Sequence, residues 1–174
     1  MILFPVNLAA LGSIPAVIDS YSESNYDTVG GTYGGEIAQR GEAITLAEAQ
    51  TITSLKFYLA KFHSPTGNIV TKIYKTSGTV GTDAVPTGTA IATSNTLDIS
   101  TLSTDFALSE FEFDSPILLP ADDYALAIEY SGGDVSNRLS VGIDCSSPTY
   151  SGNIFNDVPG YSTDYACCFY LYGY

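Results

Sequence analysis

His63 stands next to Ser64, and with one histidine in the chain this is the only place where an imidazole base adjoins a hydroxyl nucleophile. No triad pattern accompanies it: the sequence has no G-x-S-x-G elbow, no H-E-x-x-H pair and no glycine loop followed by a phosphate-binding Lys. His63-Ser64-Pro65-Thr66-Gly67-Asn68 has turn composition, so a surface turn histidine is the plainer reading. Glu110 and Glu112 share a strand face and are the minimum equipment for glycoside hydrolysis. Same-face acids on an outer sheet surface are ordinarily solvated, and Asp122-Asp123 resembles a turn entering a strand. The expectation is a protein that is not an enzyme.

Binding chemistry is better represented. Asp19, Glu23 and Asp27 lie in one polar segment and Asp134 follows Gly132-Gly133, which makes calcium, a hard cation that takes loop oxygens, the cofactor to consider. EF-hand spacing is absent, and a solvated loop explains the same residues. Tyr33, Tyr150 and Tyr161 each adjoin a glycine (Gly34, Gly160) or lie two residues from one (Gly152), an arrangement that can leave rings open for stacking on sugars. Tyrosines of this kind also cap the ends of β-sandwiches. Trp is absent, so tyrosine would have to supply any sugar platform. Cys145, Cys167 and Cys168 make an odd count with no zinc spacing. Adjacent strand residues face opposite ways, so the sequence places only one of Cys167 and Cys168 in a core.

Six Lys and Arg against nineteen Asp and Glu give a formal charge of −13 over 174 residues. Counterion release from a phosphate backbone needs a basic stripe, so nucleic acid is excluded as a partner and anionic membrane is disfavoured. The length fits one domain that buries roughly 70% of its unfolded surface. Charged residues are only 14% of the chain, while Thr and Tyr, which suit a pleated half-buried surface, are plentiful.

The elements that would position these residues are short strands. Leu55, Phe57 and Leu59 alternate with Lys56, Tyr58 and Ala60, and Ile69, Thr71 and Ile73 alternate with Val70, Lys72 and Tyr74 across the His63 turn. Further strands are predicted at 41–46, 90–99, 106–113, 117–119, 124–130, 139–144 and 165–172. About nine result, with a loop over 77–88, loop or edge over 19–35, and at most one helical turn at 46–51. The expected fold is all-β, an antiparallel two-sheet β-sandwich of jelly-roll type, with a core of Leu55, Phe57, Leu59, Ile73, Phe111, Phe113, Leu126, Ile128, Val141, Phe169 and Leu171.

The first 18 residues stand apart, with thirteen apolar residues and no charge. Pro5 and Pro15 break a continuous helix, and the basic n-region and cleavage site of a secretory signal are missing. Residues 1–18 are therefore expected to form an apolar assembly arm carried by Ile2, Leu3, Phe4, Val6, Leu8 and Leu11, with residues 19–174 as the single sandwich domain.

Six segments carry a family resemblance: Asp19-Ser20-Tyr21-Ser22-Glu23-Ser24-Asn25, Ser54-Leu55-Lys56-Phe57-Tyr58-Leu59, Ser64-Pro65-Thr66-Gly67-Asn68-Ile69, Glu129-Tyr130-Ser131-Gly132-Gly133-Asp134, Ser146-Ser147-Pro148-Thr149-Tyr150-Ser151-Gly152-Asn153 and Cys168-Phe169-Tyr170-Leu171-Tyr172-Gly173. In this order, over residues 19–173, they resemble the choice-of-anchor R type β-sandwich domains of bacterial surface proteins and predicted phage virion proteins. The resemblance implies a virion structural protein, such as a capsid decoration or a capsid or tail accessory subunit. It would be made in the host cytoplasm and partnered by other virion subunits as a homo-oligomer or lattice. The alternative it leaves is a carbohydrate-binding or adhesion module at the bacterial cell surface, with glycans as partners.

Overall fold

Period-two alternation along residues 50–62 demands a strand with one apolar side. In the computed structural model, which describes residues 14–35, 37–157 and 160–174, Leu55, Phe57 and Leu59 are indeed buried while Lys56 and Tyr58 face outward, half-buried. The described residues form fourteen strands. In chain order they begin with β1 (Ala16–Tyr21), β2 (Thr28–Thr32), β3 (Gln39–Leu46), β4 (Gln50–Phe62), β5 (Asn68–Ser77), β6 (Val85–Thr93) and β7 (Leu97–Asp98). They continue with β8 (Ala107–Leu119), β9 (Asp122–Glu129), β10 (Arg138–Asp144), β11 (Asn153–Asn156), β12 (Gly160–Ser162), β13 (Ala166–Cys167) and β14 (Phe169–Gly173). Two seven-stranded antiparallel sheets result. The protein is an all-β two-sheet sandwich.

Strand β4 organises the first sheet. β8 lies along one edge, with Leu55 opposite Phe111; along the other edge β4 pairs first with β14, Leu55 opposite Leu171, and then with β10, Leu59 opposite Val141. β1 extends the sheet beyond β14 and β2 extends it beyond β10. The second sheet runs β12-β11-β3-β9-β5-β6, with β7 also on β5. All eleven residues predicted for the core are buried between the sheets, joined by Ile44, Tyr124 and Ile154. A smaller apolar cluster of Ala43, Ala84, Ala125, Ala127 and Phe155 covers the outer side of the second sheet.

Several local expectations change. The predicted strands at 106–113 and 117–119 are one strand, β8, because a register shift opposite Ile52 and Ser54 absorbs the residues around Pro116, whose missing N–H a regular ladder would not tolerate. Within 46–51 there is no helix: Leu46 ends β3, residues 47–49 make a tight connection, and Gln50 begins β4. The predicted 90–99 strand divides into β6 and β7 at Ser94, whose hydroxyl accepts the Thr71 N–H. β1, β2, β11 and β12 had no counterpart among the predicted strands, since they are short and, in β2 and β12, rich in glycine, so that little alternation shows. Cys167 and Cys168 are both buried, contrary to the alternation argument. The strand breaks at Cys168, which sits in the fork between β4 and β10: its N–H donates to the Gly142 carbonyl and its carbonyl accepts from the Tyr58 N–H. All three cysteines are free thiols.

Residues 16–18, assigned to the arm, form the first half of β1, which crosses the expected boundary at 18/19. Ile2, Leu3, Phe4, Val6, Leu8 and Leu11 lie outside the described residues.

Candidate functional site

The residues singled out for catalysis sit in separate, ordinary settings. His63 is exposed in the turn after β4 with φ of 60°, its ring stacked on Phe62 at 4.1 Å, and the Ser64 N–H donates to Asn137 Oδ1 at 3.3 Å. Glu110 and Glu112 do share an outer cavity of about 360 Å³ beside Ser54 and Tyr172. Glu110 is engaged there by Lys56 at 3.3 Å and by the Ser54 hydroxyl at 2.7 Å.

The acids considered for calcium do not converge. Asp19 accepts from the Tyr150 hydroxyl at 2.6 Å, Glu23 from the Tyr170 hydroxyl at 2.5 Å, and Asp27 from the Cys145 N–H at 2.9 Å. Asp134 accepts from the N–H groups of Ser136 and Asn137, closing its own turn. Among the described residues no three His, Cys, Asp or Glu side chains are grouped to hold a metal.

Of the tyrosines proposed for sugar stacking, Tyr33 and Tyr150 line different cavities, the first beside β2 and the second beside β1 and β3. The Tyr150 ring packs against Tyr21 and Phe169 at 5.8 and 5.5 Å, and burial, with the Asp19 carboxylate beside its hydroxyl, pushes its pKa far up. Tyr161 lies in β12 opposite Phe155, and its side chain is outside the described residues.

Two surfaces escaped the sequence reading. The outward positions of β14 and β4 carry aromatic groups: Tyr170 stacks with Tyr172 at 6.3 Å, Lys56 lies over the Tyr172 ring at 4.7 Å, and Tyr58 joins Tyr26 and Phe106 at 5.4 and 5.2 Å. Alternation with Phe169 and Leu171 was the signal that could have found Tyr170 and Tyr172. The second surface is apolar. Ile14 (88% exposed), Val17, Leu118 (68% exposed) and Tyr174 gather at one end of the first sheet. Leu118 pairs with Thr51, Thr51 exchanges backbone hydrogen bonds with Tyr174, and Ala16 pairs with Gly173.

A third feature is built from charge. A cavity of about 600 Å³ opens between the edge strand β2 and the β11–β12 edge of the opposite sheet, lined by Gly30, Gly31, Arg40, Arg138, Asn156 and Tyr165 among others. Arg40 and Arg138 are the only arginines of the chain, and both line it. The ion pairs found among the described residues use Lys56, Lys72 and Lys75, so neither arginine has a carboxylate partner there. Arg40 is 8% exposed. Its guanidinium makes a 3.4 Å bond to the Gly31 carbonyl and its buried Nε has no partner. Asn156, opposite Arg40 in the β3–β11 ladder, has a buried Oδ1 that is also unpartnered. Arg138 donates to the Val135 carbonyl and lies over the Phe62 ring at 4.2 Å. Glu42, two residues from Arg40 on the same face of β3, is buried too; it accepts the Cys167 N–H at 2.8 Å but forms no ion pair with the arginine. Burial raises its pKa well above the carboxylate range, and the Asp19 charge adds to the effect.

Comparison with protein-family models, with curated proteins and with solved structures finds no match to this chain.

Proposed function

We propose that the protein is a non-enzymatic virion structural subunit, a jelly-roll-like member of the choice-of-anchor R type, that docks on a lattice of protein subunits. The observation that supports this is the apolar end of the first sheet, where Ile14, Val17, Leu118 and Tyr174 are exposed at neighbouring ladder positions. Soluble monomers seldom leave such a patch uncovered, and here it continues in sequence into the charge-free segment that precedes β1. Burial at about 25 cal/mol per Å² makes such a surface an adequate anchor for a subunit held at several points. Sedimentation of the full chain, alone and with particles from cells that produce it, tests the reading. The expected result is concentration-dependent self-association or recovery in particles, lost in Val17→Lys/Leu118→Lys protein that keeps its β spectrum. A full chain that stays monomeric and is absent from particles overturns it.

The aromatic row of Tyr170, Tyr172, Tyr58, Tyr26 and Phe106 favours a second reading, a carbohydrate-binding module. Flat rings next to the Lys56 ammonium suit stacking and hydrogen bonding to a sugar. Glycan binding that disappears in Tyr172→Ala would support it.

A further inference from the structure

The cleft between β2 and β11–β12 gathers polar groups whose hydrogen-bonding capacity is unmet. A chain with 6 cationic and 19 acidic residues has carboxylates to spare, yet its two arginines line this one cleft, Arg40 against Gly30 and Arg138 against Gly31, and among the described residues neither has a carboxylate partner. Desolvating the Arg40 guanidinium is costly unless its donors are met, and only one of its five N–H groups makes a hydrogen bond, a long one. Neighbouring glycines create the space. A Cβ on Gly30 would stand 2.7 Å from Arg40 Nε, and one on Gly31 would stand 3.0 Å from Arg138 Cδ and Nε.

From this arrangement we infer that the cleft binds a small hydroxylated carboxylate of sugar size, an acidic sugar of the uronate kind. The guanidinium fork matches a carboxylate in plane and spacing. The Asn156 Oδ1 acceptor needs a donor, which a bare carboxylate or sulfate lacks and a sugar hydroxyl supplies. The net charge of −13 opposes multiply charged anions more than a singly charged one, which selects carboxylate over phosphate. Tyr165 at the rim, and Val29, Ile143 and Ile154 on the walls, give apolar surface for a sugar ring face. The site lies apart from the apolar end of the sheet, and the inference does not rest on the lattice-docking proposal.

The test is titration of the full chain with glucuronate, glucose, sulfate and inorganic phosphate at matched ionic strength, followed by saturation-transfer NMR and thermal melting. Glucuronate is expected to bind and raise the melting temperature, glucose to do neither, and sulfate and phosphate to bind more weakly. Arg138→Gln should weaken glucuronate by about 10- to 100-fold, the range for one lost charge-assisted hydrogen bond. Arg40→Gln should do the same if it folds, and Arg138, only half-buried, keeps the test valid if it does not. No binding of glucuronate, equal binding of glucose, tighter binding of sulfate or phosphate, or unchanged affinity in Arg138→Gln each overturns the inference.

Discussion

Gly30 lies directly against the Arg40 guanidinium: a Cβ at position 30 would come within 2.7 to 2.9 Å of Nε, Cζ and Cδ. Residue 30 pairs with Val141, so it projects toward the inside of the sandwich, where Arg40 points from the facing sheet. The absence of a side chain on β2 is thus what lets a cation occupy an inter-sheet position that would otherwise hold an apolar residue.

Gly30→Ala should accordingly push the guanidinium out of place and destabilise the protein by about 1–3 kcal/mol, the usual penalty for overpacking. Urea denaturation measures it. Gly31→Ala meets Arg138 at 3.0 Å, on a side chain with more room to move, and should cost less. Equal stability of Gly30→Ala and wild type would mean that Arg40 adapts freely.

Phe57 and Leu126 face each other's sheets from fully buried positions. Phe57→Ala should cost about 3–5 kcal/mol and Leu126→Ala about 2–5 kcal/mol, through lost burial plus a residual cavity. Leu118→Ala, at an exposed position, should stay within about 0.5 kcal/mol in the monomer. Chemical denaturation of the three variants separates core from surface.

Glu42 sets a pH dependence of stability. Burial raises its folded pKa well above 4.5, so the folded state holds the proton more tightly than the unfolded chain does. The contribution is complete below about pH 4.5 and is lost as pH rises toward the folded value. Asp144 acts in the opposite direction: burial would raise its pKa, but the bonds from Tyr21 and Ser146 outweigh it and lower it below 3.8. Its contribution is present above that value and is lost at more acid pH. Glu42→Gln keeps an oxygen for the Cys167 N–H, and should be more stable than wild type at neutral pH with a flatter profile above pH 4.5. Thermal melting across pH shows whether the slope disappears.

Thiol reactivity should divide one to two. Cys145 is exposed, though partial desolvation and Asp27 raise its pKa, whereas burial raises Cys167 strongly and pushes Cys168 up to about 12. Native protein with iodoacetamide at mildly alkaline pH should gain one slow adduct by mass spectrometry, and three in denaturant. Two or three native adducts would show that the fork between β4 and β10 opens.

The long strands and the main core are legible in the residues because alternation is local. Phe57, Leu126 and Leu171 declare their buried side through their immediate neighbours, and the pleat requires no further information. Cys168 marks where this logic fails. It is buried because two distant strands diverge around it, and no neighbour in the chain records that divergence. β2 and β11 escaped notice for a related reason: Val29-Gly30-Gly31 and Asn153-Ile154-Phe155-Asn156 are too short and too glycine- or asparagine-rich to display a period. Their strand state is imposed by β10 and β3, whose open edges they satisfy.

Charge, composition and alternation by themselves determined that this is an acidic all-β chain. Tertiary structure alone decided that Arg40 and Arg138 share one cleft. They sit on strands of different sheets, and their place in one cleft depends on which edges stay unpaired and on two glycines of a third strand leaving room. Sheet pairing is a long-range choice made by the whole core. A cation's neighbours therefore become defined only when the sandwich closes.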